Sequence, residues 1–216
     1  MSYGATVMRI EPLAPAVVQI TVRFGESDFE FAPGQWVNFR FPEGVSRAYT
    51  IASTPEKPDE LELCVRMGPG RGGEALKKLG SGATVAIEGP YGEFVVPEGD
   101  QRPVVFLAGD TGIAPVRSIV LHLLAVRDAR KLMVLYEPDR RHILYAADFD
   151  PLARSGAIVH ESGRIETLIA RNRRRLAGAV AMAAGFDGFL GRVRRAIKED
   201  EVAPEALMVE SFGPEP

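Results

Sequence analysis

Two short stretches of this chain carry side chains arranged for chemistry. Arg47-Ala48-Tyr49-Thr50 closes one alternating apolar run, and Ala108-Gly109-Asp110-Thr111-Gly112-Ile113-Ala114-Pro115 closes a second apolar run further on. The planar fork of Arg47 matches a phosphate. Tyr49 lies two residues on, so in a strand it points the same way as Arg47, and its ring can lie flat on an isoalloxazine. Thr50 can hydrogen-bond the edge of such a ring through its hydroxyl or amide. In the second stretch, Gly109 and Gly112 permit a tight turn and close approach of a pyrophosphate to the backbone. The helix expected from Ile113 adds its positive N-terminal end. A third stretch, Gly68-Pro69-Gly70-Arg71-Gly72-Gly73, precedes an amphipathic run containing Leu76 and Leu79. A glycine-rich turn at a helix start presents free N–H groups to an anion. Each stretch alone also fits an ordinary strand end, loop or strand–helix turn; their order along one chain is the informative feature.

The elements that must position these residues fall into two periodicities. In the first part, Val18, Ile20, Val22 and Phe24 alternate with Gln19, Thr21 and Arg23. Val37, Phe39 and Phe41 alternate with Asn38 and Arg40; Leu61, Leu63, Val65 and Met67 alternate with Glu62, Cys64 and Arg66; Val85 and Ile87 alternate with Thr84, Ala86 and Glu88. Period two predicts strands with one buried and one wet face. Turn residues separate them, as at Pro33-Gly34, Pro42-Glu43-Gly44, Pro58-Asp59 and Gly80-Ser81-Gly82. The expected architecture is a small antiparallel barrel or sandwich, with Trp36 filling its interior.

The pattern changes after Pro97–Pro103. Val104 to Ala108 is continuously apolar, as a parallel strand buried on both faces should be. Ile113, Val116, Val120, Leu123 and Leu124 follow helical spacing, with Arg117, Ser118 and Arg127 off the apolar stripe. Leu132 to Tyr136 reads as a second strand, 143–153 as a helix, Ala157 to Val159 as a third strand and 164–175 as a helix. Ala179 to Ala183, the helix face of Phe189, Leu190, Val193 and Ile197, and Ala206 to Val209 complete the series. Strands alternating with helices imply βαβ units and a parallel sheet. The expected domains are a β-barrel over 1–99 and an α/β nucleotide-binding domain over 100–216.

Composition narrows the functional classes. The formal net charge of −3 over 216 residues gives no global basic field for nucleic acid or anionic lipid. A single cysteine, Cys64, rules out an intrachain disulfide and any cysteine cage for zinc or iron–sulfur. His122, His142 and His160 are scattered without metal-ligand spacing, so no metal site is expected. The N-terminus lacks a leader pattern and no apolar run approaches spanning length, so a cytoplasmic chain without membrane insertion is expected. Basic clusters at Arg171, Arg173, Arg174 and Arg175, and at Arg192, Arg194, Arg195 and Lys198, read as solvated helix faces or as a docking face for an acidic carrier.

Taken in order, these motifs resemble the ferredoxin–NADP reductase superfamily, in which a flavin-binding antiparallel Greek-key barrel precedes a nicotinamide-binding α/β domain. Arg47, Tyr49 and Thr50 match its Arg-x-Tyr-Ser/Thr motif, continued by Ile51-Ala52-Ser53. Gly89-Pro90-Tyr91-Gly92-Glu93-Phe94 is similar to the motif ending its barrel, and Ala108 to Pro115 to its glycine turn. Tyr145 to Leu152 resembles the segment after its second strand. Val209-Glu210-Ser211-Phe212 resembles the Glu-x-Phe ending of oxygenase-reductase members. The resemblance implies that Arg47 holds the flavin phosphate, that Tyr49 stacks on the ring, and that Thr50 lies near the reactive nitrogen, with Ile51 following. Tyr49 and Thr50 would then be the catalytic pair. Gly72, Gly73 and Glu74 would reach the FAD pyrophosphate. Gly109, Asp110, Thr111, Gly112 and Pro115 would receive the nicotinamide dinucleotide, together with Gly185 and Phe186. Phe212 would pack on the flavin or pin the tail.

Four departures qualify the resemblance. Gly73 stands where the family has Ser or Thr, which removes a hydroxyl and leaves FAD, in preference to FMN, on weaker ground. Asp110 stands where glycine is usual, Ala184 replaces a cysteine close to the nicotinamide, and 157–175 is short. Glu137 would favour NADH through a ribose diol, while Arg140 and Arg141 would favour the 2′-phosphate of NADPH. The activity implied is transfer of electrons from NADH or NADPH through FAD to a separate acceptor, an iron–sulfur protein or oxygenase component. Two alternatives remain open: a flavin-binding module with reduced or lost nicotinamide binding, and a subunit serving a dehydrogenase partner. The oligomeric state is not fixed by these features.

Overall fold

The computed structural model describes residues 1–25, 29–139, 142–200, 204 and 206–215. The chain divides into two compact units. The first comprises Met1–Val95 with Arg117–Val126, and the second Val96–Val116 with Arg127–Glu215.

In the first unit, six strands form one antiparallel sheet in the order β4-β3-β6-β1-β2-β5. They are β1 (Ser2–Ala14), β2 (Val17–Phe24), β3 (Trp36–Arg40), β4 (Ser46–Thr50), β5 (Glu60–Arg66) and β6 (Thr84–Tyr91), with helix α1 (Arg71–Lys78) between the last two. Insertion of β6 between β3 and β1 is the long return of a Greek key. The sheet closes on itself just beyond β4: Ile51 bridges Leu63, and the Ala52 amide donates to the Glu62 carbonyl at 2.8 Å. Closure removes both exposed edges. Val37, Phe39, Ile20, Leu63, Val65 and Ile87 are fully buried inside, each contributing on the order of 1.5–3 kcal/mol of transfer free energy.

Two expectations for the barrel change. Gln19 and Thr21, read as wet, are buried, so β2 is covered on both faces over most of its length. Trp36 does not fill the interior. It is half-buried and its ring meets that of Tyr91 at 4.8 Å between centroids.

In the second unit, five parallel strands stand in the order β11-β10-β7-β8-β9. They are β7 (Val104–Gly109), β8 (Leu132–Glu137), β9 (Val159–Ser162), β10 (Val180–Gly185) and β11 (Ala206–Ser211). Helices α3 (Ala146–Arg154), α4 (Ile165–Leu176) and α5 (Asp187–Glu199) connect them, and α2 (Ile113–Ala125) follows β7 after the 3₁₀ turn Asp110–Gly112. Every residue of β7 and β10 is buried, as expected for the centre of a parallel sheet. The chain runs β7-β8-β9 to one side and returns to β10 on the other, so the strand order reverses between β7 and β10. Crevices at such reversals, beyond the carboxyl ends of the strands, are where α/β sheets bind ligands. No helix among the described residues is long and apolar enough to cross a membrane, and no cluster of metal-ligating side chains occurs among them.

Candidate functional site

The barrel brings together two of the predicted anion-binding groups, which lie far apart in sequence. Gly72 is the second residue of α1, and a Cβ built on it would stand 2.6 Å from Nε of Arg47 on β4. The guanidinium therefore lies directly against the first turn of α1, in space that any larger residue would take. Arg47 is exposed, and its Nη1 donates to the Ser46 carbonyl at 2.8 Å. Gly73 is closed in a different way: a Cβ there would meet the Gly68 carbonyl oxygen at 2.0 Å. The missing hydroxyl at 73 is thus a packing requirement of this turn. The Glu74 amide donates to the Gly70 carbonyl at 3.1 Å and its carboxylate pairs with Lys77 at 2.8 Å. The unspent amides of the first turn are those before Glu74.

Tyr49 is half-buried, with its ring on the barrel core against Phe39 at 5.8 Å and Phe41 at 6.3 Å. Burial pushes its phenol up to about 12, partly offset by the charge of Arg47. Thr50 is buried opposite Trp36. The Ile51 side chain belongs to the core, and its amide donates to the Gln35 carbonyl at 3.1 Å, which leaves only its carbonyl for a ligand.

The segment after this motif is gripped by the later turns of α2, which belong to the same unit. Arg117 Nη1 donates to the Ala52 carbonyl at 2.7 Å and to the Glu62 carboxylate at 2.6 Å. Ser118 Oγ donates to the Ser53 carbonyl at 2.6 Å, and Ser53 Oγ accepts from the Glu62 amide at 3.1 Å. Arg117 and Ser118, off the apolar stripe in sequence, are both buried. Their partners lie 55 to 65 positions away, so helical spacing carried no signal of them.

In the second unit, a cleft of about 360 Å³ opens at the carboxyl ends of β7, β8 and β10, lined by Gly109, Asp110, Glu137, Pro138, Asp139, Phe186, Phe189, Arg192 and Glu215. The glycines here are explained by packing. The Phe189 ring occupies the place of a Gly109 side chain, with its Cγ 2.5 Å from a built Cβ, and also abuts Gly185. The Ala184 carbonyl oxygen fills the same place at Gly112, at 2.0 Å. Asp110 has φ of +52°, the left-handed conformation that explains why glycine suits this position. Thr111 is buried, and Pro115 lies in the first turn of α2. Phe212 meets Phe186 edge-on at 5.9 Å, and its amide donates to the Gly185 carbonyl.

Sequence reasoning placed Glu137 correctly at the end of a strand but not its engagement. Its Oε1 accepts from Arg192 Nη2 at 2.5 Å, and its Oε2 accepts from the Ile165 amide at 2.6 Å and from Arg192 Nη1 at 3.1 Å. Three residues of this region had gone unremarked as site residues: Arg192, Glu215 and Glu210. Arg192 had the look of a surface cation. Glu215 folds its carboxylate against Gly188 at the start of α5, 2.4 Å from a built Cβ. Glu210 faces Ala184 in the β10–β11 register, and burial holds its carboxyl above the ordinary range. Arg140 and Arg141 lie outside the described residues.

The family model described as "Oxidoreductase FAD-binding domain" matches residues 7–96. Ferredoxin–NADP reductase B of Sorangium cellulosum is 34% identical over 158 residues, covering 70% of this chain and 65% of the relative. The phenol 2-monooxygenase reductase component DmpP of Pseudomonas sp. is 31% identical over 156 residues, covering 70% of this chain and 44% of the relative. The chain is therefore matched to less than two thirds of the length of either. Among solved structures, the Amycolatopsis cytochrome P450 reductase GcoB superposes with a TM-score of 0.85 at 23% identity, over 99% of this chain and 70% of that one. The Neisseria gonorrhoeae ferredoxin NADP+ reductase with bound FAD and NADP gives 0.82 at 18% identity, over 97% and 98%. At these identities the structural likeness is one of fold. The chain thus carries a match to an oxidoreductase FAD-binding domain over residues 7–96, and its closed antiparallel barrel followed by a five-stranded parallel sheet is the two-domain fold of the ferredoxin NADP+ reductases.

Proposed function

We propose that this chain is a flavin-dependent oxidoreductase that carries electrons from NADH or NADPH through FAD to a separate acceptor, an iron–sulfur protein or oxygenase component. The observation that carries the reading is the contact between Arg47 and Gly72 at the start of α1. A guanidinium beside the unspent amides of a helix start is a fit for a dinucleotide phosphate. FAD, when bound, supplies the two-electron chemistry with the nicotinamide. The chain's own residues bind and orient. Arg47 and the Gly72 and Gly73 amides would hold phosphate, Tyr49 would present the edge of the barrel core to the ring, and Thr50 would offer its hydroxyl. Arg117 and Ser118 fix the backbone that follows. In the second unit, the glycine turn at Gly109–Gly112 and the segment Gly185–Phe186 would receive the dinucleotide.

One observation favours a second reading, a flavin-binding module with weakened nicotinamide binding. Four carboxylate residues, Asp110, Glu137, Asp139 and Glu215, line the cleft with the cation Arg192, which is itself paired. That is a poor field for a pyrophosphate. Anaerobic addition of NADH or NADPH to the FAD-loaded protein separates the two. Prompt bleaching of the flavin absorption is the expected result; oxidised flavin that yields only to dithionite would leave the module.

A further inference from the structure

The carboxylate of Glu137 stands at the end of β8, where an acid in dinucleotide folds accepts from the adenosine ribose diol and repels a 2′-phosphate. In this chain that carboxylate is neutralised from within. The Arg192 guanidinium grips both its oxygens, at 2.5 and 3.1 Å, and the Ile165 amide takes a further position at 2.6 Å. Arg192 is itself held on three sides. Its Nη1 reaches the Glu166 carboxylate at 3.2 Å, and its guanidinium carbon lies 5.8 Å from the centroid of the Phe189 ring. That same ring is wedged against Gly109 and Gly185. Hydrogen bonding to Glu137 strengthens the hold of Arg192 on its proton. Burial works to raise Glu166, but its own amide and Arg192 outweigh that and keep it below the ordinary range.

We infer that Arg192 is a specificity-determining residue for the dinucleotide, acting through Glu137. By cancelling the charge of that carboxylate it lets the cleft accept a 2′-phosphorylated adenosine as readily as the free diol. The inference rests on the dinucleotide reading above. It differs from the expectation that Glu137 by itself selects NADH, because an acid held in a bidentate ion pair has lost most of its repulsion and part of its acceptor capacity. Arg192 is a positioning residue here, with no contact to the reacting atoms claimed for it.

Calorimetric titration of the FAD-loaded protein with NAD+ and with NADP+ reads the ratio of the two affinities without requiring turnover. The wild type should bind both within about tenfold. Arg192→Met should weaken NADP+ relative to NAD+ by at least tenfold, the order of coupling expected for close charge pairs. Arg192→Lys should recover most of the lost ratio. Adding Glu137→Gln to Arg192→Met should restore it as well, since the amide keeps an acceptor for Ile165 and removes the charge. Retained FAD content and circular dichroism check that each variant is folded. A ratio unmoved by Arg192→Met, equal weakening of both nucleotides, or failure of Glu137→Gln to rescue would overturn the inference. If the wild type binds both nucleotides yet its flavin is reduced by neither NADH nor NADPH, the functional reading fails while the binding ratio still decides this one. Binding of neither overturns both.

Discussion

Tyr49 shows how a single side chain ties the barrel's core to its rim. Its ring is shared between the core, through Phe39 and Phe41, and the rim, two residues from Arg47. Burial favours the neutral phenol, so the folded chain holds that proton up to about 12, against an ordinary 10.0. The sign follows directly: the folded value is raised, so this contribution to stability is whole below pH 10 and is lost as pH climbs through 12. In a spectrophotometric titration of the phenolate band, Tyr49→Phe should delete a step lying above the ordinary 10.0, near 12. Identical curves for the two proteins would contradict the burial argument. At Gly73, the Gly68 carbonyl already occupies the position of a side chain, so the family's hydroxyl residue is excluded by backbone rather than by chemistry. The types and spacing of Arg47, Tyr49 and Thr50 are local, so the motif and its place at the end of a strand could be read from sequence. Which amides of the first turn of α1 stay unspent was not legible, because that depends on the helical bond each one makes.

Among the elements, α2 carries the most information that periodicity hid. A helix written as an apolar stripe with polar flanks turns out to bury Arg117 and Ser118 against the strand segment following the Arg47–Ile51 motif. The side chains of Arg117 and Glu62 are 10% and 12% exposed, so removing one partner strands a charge. Arg117→Met should cost about 3–5 kcal/mol in a denaturant melt and should loosen flavin retention, because the Ala52 carbonyl loses its donor. The pair Arg117→Met with Glu62→Gln should recover part of that loss. A single variant as stable as the wild type would show the pair to be ornamental. The same lesson explains β1, which went unread as a strand: only Ala5 and Val7 of its thirteen residues are buried, and register shifts at Val7/Arg9 and Pro12/Ala14 break its alternation. The central strands β7, β8 and β10 were legible because continuous apolar runs need no partner to be recognised. Short β9, displaced by two residues from the expected Ala157–Val159, sits at the sheet edge and is half-exposed.

For the molecule as a whole, the two-part reading rests on a change of hydrophobic period from two to continuous, and that change is a property of the sequence alone. What lay beyond reach was the electrostatic state of the second unit's cleft: Glu137, Glu166 and Arg192 come from three separate elements, and no local pattern announces that they meet. The first unit is the firmer half, since the family model covers it almost entirely and Arg47 and Gly72 converge there. The most direct test of the central claim is equilibrium binding of FAD and of riboflavin, followed by visible absorption, to wild type and Arg47→Ala. The wild type should bind FAD saturably and riboflavin much more weakly, and the variant should lose about 1.5–3 kcal/mol of FAD affinity through one charge-assisted phosphate contact. That loss should be confined to FAD, because riboflavin has no phosphate for Arg47 to hold. A colourless protein that takes up neither flavin, or a variant that binds FAD as tightly as the wild type, would contradict it.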